Sequence, residues 1–445
     1  MEPETVCQSL ILNMNFYSTN NPSAKVDFKE ATIQGQAPDR GLYFPEKIPV
    51  IDPYFFENID EYSNEEIAFK VIKPYVGNVI QANDLMKLVT ETINFPIPLV
   101  KVSKGIYALE LFHGPTLAFK DVGARFMSRC LAYFTKDRSE KVVVLVATSG
   151  DTGGAVANGF FDVPGVDVVI LYPSGKVSSV QEKQLTTLGN NIHALEVSGT
   201  FDDCQQLVKK AFMDAELNKK FFLTSANSIN VARWLPQQFY YFLAWKQWED
   251  KQHPPVICVP SGNFGNLCAG MLAHRSGLPV HHFIAACNAN DVVPQYMISG
   301  NYQSKKAVAT LSNAMDVGNP SNFIRILELF DNQFGDLKNK LSSYSISDEE
   351  TKTIIEEVNS KFHYVLDPHG AVGYKSLQQY LQFNTGEQGI FLETAHPVKF
   401  YDVVEPVINA KVPFPEGMQE IMKKNKVSVK MGVDYEELKN YLSKR

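Results

Sequence analysis

The sequence predicts an α/β fold on parallel sheets, and two observations predict it. Val/Ile-rich runs recur along the chain: Lys141-Val-Val-Val-Leu-Val-Ala147, Val166–Tyr172, Val256–Pro260, Val280–Ala286 and Gly389–Leu392. A strand with one wet face alternates apolar and polar residues, whereas unbroken apolar runs suit strands covered on both faces by helices. Two of these runs end in glycine-rich turns that open helical segments, Ser149-Gly-Asp-Thr-Gly-Gly154 and Ser261-Gly-Asn-Phe-Gly-Asn266. Strand, turn and helix in that order are the unit of a doubly covered sheet. At 445 residues the chain is long enough for two or three domains.

In chain order, Met14–Tyr17 reads as a short strand and Val26–Gln34 as a helix. The turn from Gly35 to Pro45 follows, with Arg40-Gly41 before buried aromatics. Tyr54–Val89 is largely helical, with Asn64-Glu-Glu at a helix start. Asn94-Phe-Pro-Ile-Pro-Leu99 interrupts it, and a strand at Ile106–Leu111 leads into His113-Gly-Pro-Thr-Leu-Ala-Phe-Lys120-Asp121. Helices are expected over Val122–Phe134, Ala155–Phe160 and Leu267–Arg275. The tail after Pro415 is charged and reads as a helix on the outside of the molecule.

The formal net charge of −7, with no basic run or basic-aromatic stripe, argues against a nucleic-acid binder. Any anion must be held by local groups. Six cysteines, at 7, 130, 204, 258, 268 and 287, form no C-x-x-C pair. They read as reduced, mostly buried thiols of a cytosolic protein, with Cys258 in the core, and not as a disulfide framework or zinc site. The histidines form no H-E-x-x-H, so no metal is expected. Residues 1–13 lack a basic start and a long apolar stretch and do not read as a signal peptide. No run of about 18 apolar residues suggests a membrane span.

Lys120 carries the first chemical signal. It follows the apolar turn Leu117-Ala-Phe119, and partial burial lowers an amine's pKa and frees its lone pair for Schiff-base chemistry. The plain structural alternative is a lysine snorkelling at a helix start. The two glycine-rich turns carry the second, because free N–H groups at a helix N-terminus favour an anion. Neither turn is a dinucleotide or Walker loop, and one alone would be a tight connection. Two of them beside an activated lysine suggest two anionic groups near one amine. A phosphorylated aldehyde cofactor, pyridoxal phosphate, with an amino-acid substrate fits that arrangement.

Several motifs in series carry a resemblance. They are Leu111-Phe-His-Gly-Pro-Thr-Leu-Ala-Phe-Lys-Asp121, Ala147-Thr-Ser-Gly-Asp-Thr-Gly-Gly-Ala155, Ser225-Ala-Asn-Ser-Ile-Asn230, Pro260-Ser-Gly-Asn-Phe-Gly-Asn266, Ser312-Asn-Ala-Met-Asp-Val-Gly-Asn-Pro320 and Glu393-Thr-Ala-His-Pro-Val-Lys-Phe400. From about Met14 to about Pro415 the chain resembles the threonine synthases, pyridoxal-phosphate enzymes of fold type II; Glu405–Arg445 matches only loosely. The resemblance implies a tryptophan-synthase-β-like architecture of two parallel-sheet domains and an N-terminal domain. The expected bounds are 14–100 for the N-terminal domain, 101–135 with 226–415 for the large cofactor domain, 136–225 for the smaller domain, and 416–445 for a helical extension.

The resemblance also implies roles. Lys120 would hold the cofactor as a Schiff base and shuttle protons, with Phe119 near the ring. Gly262, Asn263, Phe264, Gly265 and Asn266 would cradle its phosphate, and Thr394 would meet the pyridine nitrogen. Ser149, Asp151 and Thr152 would meet the substrate carboxylate and the cofactor's face. Ser225, Asn227, Ser228, Asn230 and Arg233, with Lys176 and Lys183, could surround the substrate phosphate. Asn313 with Asp316 and Asp367 with His369 are further candidates, equally readable as turn formers. Asp121 is expected to cap the helix after the lysine. The implied reaction converts O-phospho-L-homoserine and water to L-threonine and phosphate, in a monomer or homodimer. Two alternatives stay open: a phospho-lyase releasing 2-oxobutanoate, and a non-catalytic regulatory or secreted protein on the same fold.

Overall fold

A computed structural model describes residues 14–136 and 140–445; the reading of residues 1–13, and with it Cys7, lies outside the described residues. Among the described residues, three sheets organise the molecule. The N-terminal sheet is antiparallel, with Phe16–Ser18 between Asn21–Val26 and Tyr43–Pro45. The helix Phe28–Gln34 packs on it and on Asn64–Val76, which packs in turn on Ala82–Thr92 and is opened by a capping box between Ser63 and Glu66.

The largest sheet has six strands in the order Leu341–Ser345, His282–Cys287, Val256–Pro260, Gly389–Glu393, Ile106–Glu110 and Leu99–Ser103. All neighbours are parallel except the last pair. The sheet therefore sets the carboxyl ends of Val256–Pro260, Gly389–Glu393 and Ile106–Glu110 side by side. The loops leaving those ends carry the glycine-rich turn, Thr394 and Lys120, and loops beyond the carboxyl ends of parallel strands are where α/β folds bind ligands.

The second sheet, wholly parallel, runs Val429–Met431, Ile192–Val197, Val166–Pro173, Val142–Ala147 and Phe222–Ser225. Its strands are covered on both faces, as their unbroken apolar runs require. Val142, Val144 and Val146 enter one hydrophobic cluster, while Val143, Leu145 and Ala147 enter another. Ile257 and Val259 separate in the same way from Val256 and Cys258.

The structure corrects the reading in three places. The tail is not only helical: Val429–Met431 extends the smaller sheet, and the helix Tyr435–Ser443 packs on Phe201–Met213. A three-residue edge strand is too short to leave a period in sequence. Leu99–Ser103, masked by the prolines before it, is a strand. The helices after the glycine-rich turns begin earlier, at Asp151 and Gly265, and the lysine helix begins at Lys120 itself. The five described cysteines are free and buried. Among the described residues no helix is long and apolar enough to cross a membrane, and no cluster of His, Cys, Asp or Glu could hold a metal.

Candidate active site

Lys120 is the first residue of the helix Lys120–Thr135, and the turn before it is sewn to the segment after strand Gly389–Glu393. Phe119 N–H donates to the Thr394 carbonyl at 2.9 Å, His396 N–H to Leu117 at 3.0 Å, and Leu111 N–H to Glu393 at 2.9 Å. The Tyr240 hydroxyl holds the Phe119 carbonyl from the other side. The lysine amine lies 5.6 Å from the centre of the Phe119 ring. Burial lowers its pKa to about 8; Asp151 opposes the shift, while Lys399 and Arg233 add to it. A neutral amine is therefore accessible near physiological pH.

Asp151 begins the helix Asp151–Phe160 of the smaller sheet. Gly150 before it has φ +143°, and a Cβ there would lie 2.5 Å from the Gln181 side chain, so only glycine fits. Thr148 Oγ1 accepts from Gly150 N–H at 3.0 Å and Gly153 N–H at 2.8 Å, which fixes the turn. Asp151 Oδ1 accepts from Lys399 Nζ at 2.8 Å and Gln181 Nε2 at 2.9 Å. Burial alone would raise its pKa, but the charges of Lys399 and Lys120 outweigh it and hold the carboxyl well below the usual carboxylate range. Asp151 is thus an anion already engaged, and it would repel a substrate carboxylate. Ser149 and Thr152, half-buried at the same turn, stay open to that role.

Lys399 was not singled out by the sequence. It is fully buried and also donates to the Thr116 carbonyl at 2.7 Å, beside Gln184 Nε2 at 2.9 Å. The available signal was a lone lysine inside the apolar run Ala395–Phe400, which linear reading treats as solvated. Asp121 is corrected as well. The lysine helix has no side-chain cap; instead, Asp121 accepts from Thr116 N–H at 2.9 Å and Thr116 Oγ1 at 2.5 Å. Burial raises its pKa against those two bonds.

The second glycine-rich turn ends strand Val256–Pro260 and opens the 11-residue helix Gly265–Arg275. A Cβ at Gly262 would lie 2.7 Å from both the Ala314 carbonyl and Met315 Cα, so glycine lets two backbones meet. Phe264 holds φ +62°, a strained left-handed conformation for a bulky residue. Asn266 Nδ2 donates to the Pro260 carbonyl at 2.7 Å. Asn263 Nδ2 donates to Ser228 Oγ at 2.7 Å, and Asn263 Oδ1 accepts from Ser321 N–H at 2.6 Å. These bonds hold the turn by its side chains, and the helix's first backbone N–H groups remain as anion donors.

The Ser225–Asn230 segment leaves strand Phe222–Ser225 and reaches the glycine-rich turn through Ser228. Ser225 and Asn227 are half-buried there, joined by Asn227 N–H donating to Ser225 Oγ at 3.3 Å. Asn230 is not free for a ligand: it caps the next helix through Ala232 N–H at 2.9 Å and donates to the Thr32 carbonyl at 2.8 Å. Arg233 is buried, donates to the Ala226 carbonyl, and is pushed down to about 10 by burial. It is a charge packed against the lysine helix, its Nε 3.3 Å from where a Gly123 Cβ would sit.

The remaining candidates separate. Lys183 donates to the Lys424 carbonyl and Lys176 is exposed. Asp316 is a loop brace, accepting from Asn288 Nδ2 at 2.9 Å and Thr310 Oγ1 at 2.7 Å. Asn313, half-buried beside it, has an Oδ1 with no hydrogen-bond partner among the described residues. Asp367 caps the helix Pro368–Phe383 and accepts from His369 Nδ1 at 2.5 Å, while His369 Nε2 accepts from Ala314 N–H at 3.2 Å. That pair steadies the backbone pressed on Gly262. Thr394 is buried.

An amine with a lowered pKa and a glycine cradle at a helix N-terminus, leaving the two strands that flank Gly389–Glu393, fit pyridoxal phosphate. Comparison with known proteins agrees. The pyridoxal-phosphate dependent enzyme family model matches residues 90–390, the threonine synthase N terminus model residues 15–93, and the threonine synthase C-terminal model residues 370–442. The likeness therefore continues past Pro415, where the sequence motifs fade. The chain is 45% identical to a threonine synthase of Haemophilus influenzae, over 97% of this chain and 100% of that protein. The crystal structure of threonine synthase from Escherichia coli superposes with TM-score 0.90 and 41% identity, covering 97% and 100% of the two chains. The pyridoxal-phosphate-bound threonine synthase of Brucella melitensis gives TM-score 0.90 at 34% identity, covering 96% and 98%. The chain belongs to the threonine synthase family of pyridoxal-phosphate-dependent, fold-type II enzymes.

Proposed function

We propose that this protein converts O-phospho-L-homoserine and water to L-threonine and phosphate, as a cytoplasmic monomer or homodimer. The observation that carries the reading is the sewing of the Lys120 turn to Thr394, with Asp151 close enough to act on the lysine's charge. Lys120 would bind pyridoxal phosphate, Gly262 to Asn266 would hold its phosphate, Phe119 would flank the ring and Thr394 would meet its nitrogen. When bound, the cofactor supplies an electron sink for carbanions next to the substrate amine.

The chain's own groups do the rest. Lys120 Nζ, neutral in part near pH 8, accepts a proton and returns it at another carbon. Ser149 and Thr152 orient the substrate carboxylate, and Ser225, Asn227 and Ser228 its phosphate. Fixing both ends sets the α, β and γ carbons against one amine. Asp151, locked by Lys399, keeps a negative charge that balances the amine when it is protonated. The C–O bond at the γ carbon breaks with release of phosphate, a proton is delivered there, and water adds at the β carbon. Buried reduced cysteines support the cytoplasmic assignment.

The test is incubation of the loaded protein with O-phospho-L-homoserine, assaying phosphate, threonine and 2-oxobutanoate together. Threonine equal to phosphate is expected; 2-oxobutanoate in its place would reassign the reaction to a phospho-lyase.

A further inference from the structure

We propose that Arg325 is a positioning residue for the cofactor phosphate, bracing the glycine-rich turn through Asn322 and setting a fixed positive charge behind it. This rests on the reading that Gly262–Asn266 holds that phosphate. Arg325, in the helix Phe323–Leu329, has no exposure to solvent. Its Nε and Nη2 donate to the Tyr43 carbonyl at 3.1 and 2.8 Å, and Nη2 also donates to the Ile229 carbonyl at 2.7 Å. Nη1 donates to Asn322 Oδ1 at 2.7 Å, and the guanidinium lies 4.2 Å from the centre of the Trp234 ring.

Among the described residues no carboxylate pairs with this cation. Carbonyls and an indole face make its burial tolerable, yet a buried charge without a counter-ion is costly and an apolar side chain would fill the space more cheaply. The expense is explained if the counter-ion is a ligand. Asn322 points to where: its Nδ2 donates to the Asn263 carbonyl at 3.1 Å and its N–H to the same carbonyl at 3.3 Å. Arg325 therefore sits two hydrogen bonds behind the turn, and its other contact, Ile229, adjoins Ser228, which Asn263 also holds. The charge is felt along the helix that opens at Gly265, where it lowers the Cys268 thiol against the larger upward effect of burial. A phosphate dianion at that helix's N-terminus would complete the pairing.

The experiment compares affinities for pyridoxal phosphate and for pyridoxal, which lacks the phosphate, in apoprotein of the wild type, Arg325→Met, Asn322→Ala and Gly262→Ala. The phosphorus NMR resonance of each loaded protein is recorded alongside. Arg325→Met is expected to lower the ratio of the two affinities by about tenfold or more and to move the resonance. Asn322→Ala, which keeps the charge, should lower the ratio less and serves if Arg325→Met does not fold. A structural role alone predicts that both affinities fall together; an unchanged ratio in both variants overturns the inference. If Gly262→Ala lowers the ratio while those two do not, only the inference fails. If Gly262→Ala also leaves it unchanged, the reading of the turn fails with it.

Discussion

Lys399 Nζ lies 2.8 Å from Asp151 Oδ1, and both side chains are buried, with exposures of 0% and 3%. Asp151 comes from the smaller parallel sheet and Lys399 follows a strand of the larger one, so the pair ties the two sheets together. Removing one partner of a buried pair leaves an uncompensated charge, which costs about 3–5 kcal/mol. Asp151→Asn is therefore expected to lower stability by that order, read as a shift of the denaturant midpoint. It should also lower the pKa of Lys120, because Asp151 raises that pKa and an unpaired Lys399 would lower it further. The rate at which the apoprotein forms an imine with pyridoxal would then extend to lower pH.

In the wild type the same assay has a defined shape. Imine formation needs the neutral amine, and burial brings Lys120 to about 8. The rate should fall about tenfold per pH unit below that value and level off above it. A limb centred near the ordinary lysine value would contradict the burial seen here. Lys120→Ala should abolish both the imine band and turnover, leaving the fold's thermal transition in place.

Much of this arrangement was legible in the sequence, and the limits have physical causes. The Val/Ile runs announce strands covered on both faces because a doubly buried strand can carry little else. The glycine-rich turns and Lys120 announce themselves because strained turns and helix starts are local. Lys399 and Arg325 did not, since a buried cation is explained only by partners far away in the chain, here Asp151 for one and Tyr43 with Asn322 for the other. The main contacts of Asp121 and Asn230 stay hidden in the sequence for the same reason. Each looked free for a generic task, a cap or a ligand contact, until Thr116 and Thr32 took up its side chain.

Gly150 offers a prediction about local geometry. With φ +143° and Gln181 atoms 2.5 Å from a would-be Cβ, Gly150→Ala must displace either the turn or Gln181. Gln181 Nε2 is a ligand of Asp151, so the displacement reaches the ion pair. A loss of about 2 kcal/mol or more is expected from strain and the lost hydrogen bond together. Gly165→Ala is the control for left-handed strain alone, because it has φ +74° with no described atom within 4 Å of its Cβ. It should cost less and leave imine formation untouched.

The last prediction concerns Glu393, immediately before Thr394. Its side chain is fully buried, Oε1 accepts from Asp367 N–H at 2.8 Å, and Oε2 has no hydrogen-bond partner among the described residues. Gly370 makes room for it, since a Cβ there would lie 1.5 Å from Oε2. Burial, reinforced by Asp367, raises its pKa well above the usual carboxylate value, so the folded protein keeps a proton that the unfolded chain releases. The sign follows from linkage. Above the unfolded glutamate value near 4.5 the folded state binds more protons, so this group's contribution to stability declines as pH rises, by up to about 1.4 kcal/mol per unit, until the folded-state pKa is reached. Glu393→Gln keeps the shape, holds no titrating proton and should flatten that decline. Unfolding measured at pH 5, 7 and 9 should show wild type and variant closest at pH 5 and the variant gaining toward pH 9. Parallel curves would mean that Glu393 is ionised in the fold.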